Sequence, residues 1–173
     1  MSQQQLCHTC HILRPLRSKH CRDARRCVLL FDHHCPFVGN TVGLNNYKWF
    51  YLTLLFMTLA CLGFGITLTI YLQRQFSWFI CIFGIYLCLY ILPAGGMLCY
   101  HTQLTMVNLT TNEHINVSRY KYLQNDHGGF RNPFFKGWLN NTMGRFSPSV
   151  SSYTLPTQHE PLLLAHHRGE NAV

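Results

Sequence analysis

Hydrophobic and polar positions divide this chain into three unlike parts. Residues 1–48 are polar and basic, residues 49–100 are apolar except for one short turn, and residues 101–173 are polar again. Residues 49–72 contain no charged side chain, and as a helix they would extend roughly 36 Å, more than the hydrocarbon core of a bilayer at about 30 Å. We therefore predict a transmembrane helix over residues 49–72.

A second uncharged run covers residues 76–100, and a polar turn at residues 73–75 separates it from the first. A buried helix of a globular protein seldom stays apolar on every side over such a length, so two membrane spans are the better interpretation. Pro93, Gly95 and Gly96 predict either a kink in the second helix or the close approach of another backbone. The pattern indicates a mainly α-helical membrane protein.

The formal net charge of +8 would suit a nucleic-acid-binding protein, but the positions of the charges argue against one. Thirteen of the fourteen lysine and arginine residues lie outside the two apolar runs, and Arg74 lies in the turn between them. The spans would hold any basic face at a membrane, so we expect no nucleic-acid partner. The positive-inside rule predicts that both termini are cytoplasmic and that residues 73–75 are lumenal. Residues 1–48 contain no apolar run, so we expect no signal peptide.

Five of the nine cysteines precede residue 36, in a basic segment that also contains histidines. Cys7 and Cys10 have the Cys-x2-Cys spacing with which two thiolates hold one tetrahedral ion, and His20 and Cys27 supply a plausible second pair. Clustered cysteine and histidine in a non-secreted segment indicate a metal site rather than a disulfide scaffold. We predict a Cys3His zinc site, with unrelated reduced cysteines as the alternative.

Other polar residues around these cysteines have simpler interpretations. His8 and His11 interleave the Cys-x2-Cys pair and are expected to point into solvent. Arg14, Arg17 and Lys19 are either an ordinary solvated face or a clamp for an anionic ligand, and the sequence leaves both interpretations open.

Residues 32–35 read Asp-His-His-Cys and bring a carboxylate, two imidazoles and a thiol together. A histidine can take the proton of a cysteine nucleophile, and a carboxylate can fix which imidazole nitrogen is free to do so. In an extended segment His33 and Cys35 share one face and His34 points to the other. We predict that Cys35 is a nucleophile, that His33 is its base, that Asp32 orients His33, and that His34 is structural. Four surface polar residues or a metal knuckle are the alternatives.

Beyond the second apolar run, residues 101–146 are polar but rich in aromatic side chains. Seven Phe, Tyr and Trp residues between positions 110 and 146 argue against disorder and favour a small cytoplasmic segment apposed to the membrane face. Residues 147–173 are rich in Ser, Pro and His without periodicity, and we predict a disordered tail there.

Taken together, these features resemble the DHHC family of protein S-acyltransferases, the palmitoyltransferases, from Cys7 to Phe146. The matching motifs are Cys7-x2-Cys10, Arg14-Pro15, Arg17-Ser18-Lys19-His20-Cys21, Cys27, Asp32-His33-His34-Cys35-Pro36, Asn40, Gly43, Asn46, the TTxE-like Thr110-Thr111-Asn112-Glu113, and Gly137-x3-Asn141-x4-Phe146.

The resemblance implies a small zinc-stabilised cytoplasmic Cys-rich domain of short β-hairpins and loops over residues 1–48, joined to the two transmembrane helices. It also implies transfer of a long-chain acyl group from palmitoyl-CoA or another acyl-CoA to cysteines of substrate proteins through a Cys35 acyl-enzyme. The implied partners are the lipid bilayer, acyl-CoA and substrate proteins with cytoplasmic cysteines. The implied location is the endomembrane system, in the Golgi or endoplasmic reticulum.

Two differences from the family pattern change these expectations. Members usually hold two zinc ions; the first set of ligands is complete here, but the second retains only Cys21 and His34, because Ala24 and Thr41 occupy the other two ligand positions. We therefore predict one bound zinc and an empty second set, since two ligands bind zinc poorly.

The second difference is that members normally have two further spans before the Cys-rich segment, and none precedes it here. The expectation is therefore a truncated form of an acyltransferase. The alternative function is a non-catalytic membrane zinc-module protein that binds substrates or related acyltransferases. The retained Asp32, His33 and Cys35 favour the enzyme.

Overall fold

In the part of the chain that the structure describes, three short antiparallel β-hairpins are followed by two long helices and a compact helical segment. The structure is a computed structural model and describes residues 6–148. The hairpins pair β1 with β2, β3 with β4 and β5 with β6. The strands are β1 Leu6–Cys7, β2 Ile12–Leu13, β3 Lys19–Cys21, β4 Arg26–Val28, β5 His33–Cys35 and β6 Asn40–Val42. The predicted fold class, mainly α with a Cys-rich domain of short hairpins, is confirmed.

Each hairpin is too short to be stable alone, because its strands have only two or three residues. The hairpins therefore depend on contacts with other parts of the chain. Gly43 illustrates how closely the loops pack: a Cβ at this position would meet Val28 Cγ1 at 2.5 Å and the Leu29 carbonyl oxygen at 2.8 Å. Only glycine lets β6 and the following turn lie this close to the loop after β4.

Two helices are long and apolar enough to cross a membrane, α1 at Tyr47–Arg74 and α2 at Trp78–Val107. None of the most apolar window of either helix is buried within the described residues. A soluble protein would cover such surfaces, so a lipid environment fits them. The helices pack against each other, and a short extended connection of residues 75–77 joins them.

The helices extend beyond the spans predicted from the apolar runs. Most of the difference is at the end of α2, where residues 101–107 continue the helix instead of starting the polar segment. The helix ends only at Asn108, whose left-handed backbone at φ 55° and ψ 47° lets its N–H reach the carbonyls of Leu104 and Thr105. The apolar run stops before this cap because the uncharged polar residues His101, Thr102 and Gln103 follow it.

Pro93 lies inside α2, which continues on both sides of it. At Gly95 and Gly96 nothing in residues 6–148 lies within 4 Å of where a Cβ would be. The close backbone approach that these residues left open is therefore absent from the described part of the chain.

The aromatic-rich segment after α2 is folded. It contains helix α3 at Thr111–Ile115, two 3₁₀ turns at Val117–Arg119 and Lys121–Leu123, and helix α4 at Trp138–Phe146. Its core consists of the buried side chains of Leu104, Leu109, Leu123 and Phe134. The predicted disordered tail at 147–173 lies outside the described residues, apart from its first two positions.

Asn141 ties α4 to the end of α2. Its side-chain amide donates to the carbonyl of Met106 at 2.7 Å, and its side-chain oxygen accepts from the N–H of Lys136 at 2.9 Å. Both groups of a buried amide are therefore satisfied, and α4 is held beside the last turn of α2.

Candidate active site and metal centre

Asp32 lies at the centre of the candidate site and is completely buried. Its Oδ1 accepts a hydrogen bond from Arg145 Nη2 at 2.7 Å, and its Oδ2 lies 3.1 Å from His33 Nδ1. The backbone N–H of Thr111 lies 3.3 Å from both oxygens. The carboxylate is thus held by groups from three separate parts of the chain.

Strand β5 presents its two histidines to different surroundings. His33 lies on the side of Cys35, with its ring 5.0 Å from that of Phe50 in an edge contact. His34 lies on the other side, where its Nδ1 is 2.9 Å from the hydroxyl of Thr41. The strand therefore separates one imidazole beside the thiol from one in the hairpin scaffold.

The surroundings of Cys35 favour its thiolate. Burial by itself raises the pKa of Cys35, but the backbone N–H of Val38, the hydrogen bond with His33 and the N–H of Phe37 outweigh burial and lower it. Gly39, at φ 59°, closes this turn with its N–H on the Pro36 carbonyl. The turn after Cys35 therefore directs backbone dipoles at the sulfur.

Asp32 and His33 shift each other's pKa in opposite directions, and both shifts favour the charged form of the side chain. Burial raises the pKa of Asp32, but the hydrogen bond with His33 and the charge of Arg145 outweigh it and lower that pKa. Burial lowers the pKa of His33, but the hydrogen bond and charge of Asp32, followed by Cys35, outweigh it and raise that pKa. The arrangement favours a charged Asp32 and a His33 that readily holds a proton beside a thiolate.

Three aromatic side chains of the long helices pack together beside His33, and the sequence reasoning missed them. They are Tyr47 and Phe50 of α1 and His101 of α2. His101 of α2 is buried with its ring centre 5.7 Å from that of His33 and 4.9 Å from that of Phe50. The hydroxyl of Tyr47, in the first turn of α1, lies 3.3 Å from His101 Nδ1. The signal in the sequence was a histidine directly after an apolar run, because an ionisable side chain at that position needs a polar partner.

The first predicted metal set comes together in space. The ligand atoms of Cys7, Cys10, His20 and Cys27 all lie within 4.8 Å of one another. His20 Nδ1 is 3.6, 3.3 and 3.9 Å from the sulfurs of Cys7, Cys10 and Cys27 respectively. A tetrahedral zinc site requires about 3.6 Å between sulfur and nitrogen ligands. Donor types and spacing therefore fit zinc.

The second set differs from the sequence expectation because Asp23 joins it. The ligand atoms of Cys21, Asp23 and His34 also lie within 4.8 Å of one another. The hydroxyl of Thr41 lies between two of them, 3.1 Å from Cys21 Sγ and 2.9 Å from His34 Nδ1. Sequence reasoning considered only the ligand positions of the family pattern and missed the carboxylate. The empty second set remains a prediction.

The TTxE-like motif holds Arg17. Thr110 and Glu113 form a reciprocal capping box at the start of α3. The Glu113 carboxylate also accepts two hydrogen bonds from Arg17, at 2.7 and 2.6 Å, and the guanidinium lies over the Phe134 ring. Both interpretations of Arg17 were therefore wrong: it is neither solvated nor available to an external anion. Its partner lies 96 positions away, beyond the reach of local patterns.

The remaining basic and histidine predictions have mixed outcomes. His8 and His11 are exposed, as expected. Lys19 is exposed but donates to the side-chain oxygen of Asn112 at 3.0 Å. Arg14 is partly buried and interacts with other groups of the protein.

Comparisons with known proteins agree on one family. The sequence model of a family described as DHHC palmitoyltransferase matches residues 1–118. The chain is 30% identical over 167 residues to "Probable protein S-acyltransferase 15" of Arabidopsis thaliana, a match that covers 91% of this chain and 66% of that protein. It is 32% identical over 160 residues to "Probable protein S-acyltransferase 5" of the same plant, covering 84% of this chain and 32% of that protein.

A mammalian relative gives a similar match. The chain is 31% identical over 176 residues to "Palmitoyltransferase ZDHHC17" of Rattus norvegicus, covering 86% of this chain and 28% of that protein. The chain therefore spans about two thirds of the length of one of these relatives and about a third or less of the other two.

Proposed function

Because the chain belongs to the DHHC palmitoyltransferase family, we propose that it transfers long-chain acyl groups from acyl-CoA to cysteine side chains of proteins. The observation that carries the proposal is the series Asp32–His33–Cys35, in which Asp32 is hydrogen-bonded to His33 and His33 lies on the side of Cys35. The series lies beside the first turn of a helix long enough to span a membrane. This series combines an activated nucleophile, its base and the group that orients the base.

The first step forms an acyl-enzyme. The Nδ1–H of His33 donates to Asp32, which leaves Nε2 to take the thiol proton of Cys35. The thiolate attacks the carbonyl carbon of the acyl-CoA thioester, a new C–S bond forms to Cys35, and the bond to the CoA sulfur breaks. The CoA thiolate leaves and takes the proton held by His33. Palmitoyl-CoA or another long-chain acyl-CoA is the donor.

The second step returns Cys35 to its free form. The thiol of a substrate-protein cysteine gives its proton to His33, and its sulfur attacks the acyl carbonyl carbon. The bond to Cys35 breaks, and the proton on His33 returns to the Cys35 sulfur. The products are an S-acylated protein and the starting enzyme. No external oxidant or reductant is required, because one thioester replaces another.

The location of Cys35 suits a donor with a long alkyl chain. Its side chain packs in one cluster with Tyr47 and Phe50 at the start of α1. Burying a methylene among helices or lipid gains roughly 0.8 kcal/mol, so the alkyl tail is more stable at bilayer depth than in water. A nucleophile beside the first turn of α1 meets the thioester where the alkyl tail enters the apolar layer.

The distribution of charge supports a membrane topology. Basic residues concentrate before α1 and after α2, so by the positive-inside rule the segments before α1 and after α2 both lie in the cytoplasm. Acyl-CoA and substrate cysteines are then on the same side as Cys35. We propose an integral protein of the endomembrane system, in the Golgi or endoplasmic reticulum, with partners that present cytoplasmic cysteines.

One zinc ion held by Cys7, Cys10, His20 and Cys27 completes the proposal. When bound, zinc supplies a structural cross-link and no acyl-transfer chemistry, because all four of its ligands come from the protein. These ligands join the first hairpin to the second. The cross-link replaces the hydrophobic core that such short strands lack.

Autoacylation tests the proposed function. Protein purified in detergent is incubated with a labelled long-chain acyl-CoA, and the hydroxylamine-sensitive label is counted for wild type, Cys35→Ser and the matched control Cys88→Ser, an exposed cysteine of α2. We expect label on wild type and Cys88→Ser, and none on Cys35→Ser. Absence of label on the wild type would contradict the enzyme and support the non-catalytic zinc-module protein.

A further inference from the structure

Arg145, on the last turn of α4, reaches Asp32 across 113 positions of sequence. The side chains of both residues are almost completely excluded from solvent, at 2% and 0% exposure. The guanidinium also lies over the ring of Tyr47, 3.9 Å from its centre. Nothing in the sequence reasoning assigned a role to this arginine.

The two oxygens of Asp32 have different partners. Oδ1 faces Arg145 and Oδ2 faces His33, while the N–H of Thr111 lies at equal distance from both. A carboxylate rotates about its Cβ–Cγ bond unless both oxygens are held. With Oδ1 bound to Arg145, the plane of the carboxylate is set, and Oδ2 remains directed at His33 Nδ1.

Resting on the function proposed above, we propose that Arg145 is a positioning residue for acyl transfer, which holds Oδ1 of Asp32 so that Oδ2 stays on Nδ1 of His33. Arg145 does not touch the reacting atoms. It acts through Asp32, and Asp32 acts through His33 on Cys35.

The environment of Arg145 supports a specific task rather than general packing. Its Nε and Nη1 find no hydrogen-bond partner within residues 6–148. Leaving N–H groups buried and unpaired is unfavourable, and an apolar side chain of similar size would avoid this cost. Among the described residues, the guanidinium makes its short contact to a charged group with Asp32.

The position of Arg145 is itself fixed. Asn141, one helical turn earlier on the same face of α4, is bound to the Met106 carbonyl of α2. Phe146, the next residue, packs edge-on against Tyr51 of α1 at 5.1 Å. Helix α4 is therefore held against both long helices, and the guanidinium has a defined location above the Asp32 carboxylate.

A double-mutant cycle tests this role. Arg145→Met, Asp32→Asn and the double variant are compared with wild type for the autoacylation rate at saturating acyl-CoA and for the rate at which iodoacetamide alkylates Cys35 at fixed pH. If Arg145 acts through Asp32, Arg145→Met lowers both rates roughly ten- to hundredfold, less than the full general acid–base effect of about 10²- to 10⁴-fold because His33 itself is retained. In the Asp32→Asn background, Arg145→Met then causes no further loss of either rate.

Three further measurements separate positioning from a loss of structure. The half-saturating acyl-CoA concentration and the zinc content should stay at wild-type values in Arg145→Met. Arg145→Lys, which keeps the charge without the planar fork, should recover part of the rate. The matched control is Arg131→Met, an exposed arginine of the same segment, which should behave as wild type.

Unchanged rates in Arg145→Met would overturn the proposal, as would a loss that persists in full with Asp32→Asn. If Arg145→Met fails to fold, the cycle is run with Arg145→Lys under the same criterion. Cys35 alkylation does not require acyl transfer. An inactive wild type would therefore reject the proposed function, while the alkylation cycle would still decide the role of Arg145.

Discussion

The Glu113 carboxylate accepts hydrogen bonds from Arg17 Nε at 2.7 Å and Arg17 Nη2 at 2.6 Å, and both side chains are buried. The hydroxyl of Tyr122 adds a third bond to the same carboxylate at 3.1 Å. This pair joins the loop between the first and second hairpins to α3, whose start also holds Asp32 through Thr111. The Cys-rich domain and the segment after α2 are therefore one structural unit.

Replacing Arg17 by Met should strongly destabilise that unit. The change leaves the Glu113 carboxylate buried without its cation, and breaking one side of a buried ion pair costs about 3–5 kcal/mol. The measurement is thermal or denaturant unfolding in detergent. Arg22→Met, at an exposed position of the same domain, is the matched control and should unfold like wild type. Equal stability of the two variants would contradict the importance of the pair.

Acidification should remove the contribution of Glu113. Burial alone raises the pKa of Glu113, but the charge and hydrogen bonds of Arg17 and the N–H of Thr110 outweigh burial and lower it. A carboxyl group whose pKa is lowered by folding stabilises the folded state fully above its unfolded pKa of about 4.3, and the contribution disappears as the pH falls through the folded value.

The stability difference between wild type and Glu113→Gln should therefore be constant near neutral pH and shrink only below about pH 4.3. It is measured as the difference in unfolding temperature between the two proteins at each pH. Loss of zinc at low pH affects both proteins and cancels in this comparison. A difference that already shrinks between pH 7 and pH 5 would show that another group is responsible.

Metal analysis should find one zinc per chain. Cys10→Ser should lose that zinc and unfold at a lower temperature, since the first ligand set cross-links two hairpins that have little core of their own. Asp23→Ala, in the second set, should leave the zinc content unchanged. Two zinc ions in wild type and one in Asp23→Ala would instead show that Asp23 completes a second site.

The hydroxyl of Thr41 should carry part of the stability of the β5–β6 hairpin, because it links Cys21 to His34. Thr41→Val keeps the shape but removes this hydroxyl, and leaving buried partners unsatisfied costs about 1–3 kcal/mol. Thr41→Ser keeps the hydroxyl and is the matched control. Unfolding in detergent should separate the two variants. Equal losses would assign the effect to the methyl group instead.

Several features of this protein were predictable because they are local properties of the chain. A run without charge is visible residue by residue, so residues 49–72 and 76–100 predicted two apolar helices. The alternation of side chains along a strand similarly predicted that His33 and His34 face different surroundings. The order of the motifs predicted the family, which the comparisons confirm.

Other features depended on contacts between distant residues. Nothing near Arg17 in sequence indicates that it is buried against Glu113, so its environment was misjudged. Asp23 was overlooked because its nearness to Cys21 and His34 arises from the arrangement of two hairpins. His101 was missed because its partners lie on another helix.

The sequence by itself determined which groups could be predicted to act together: a thiol, its neighbouring imidazole and carboxylate, one complete set of predicted zinc ligands, and two apolar runs long enough to span a membrane. Only the tertiary structure decided what surrounds Asp32. Hydrophobic runs and ligand spacings are properties of residues close together in sequence. The pairing of Arg145 with Asp32 forms only when α4 packs against α2, because the two residues are 113 positions apart.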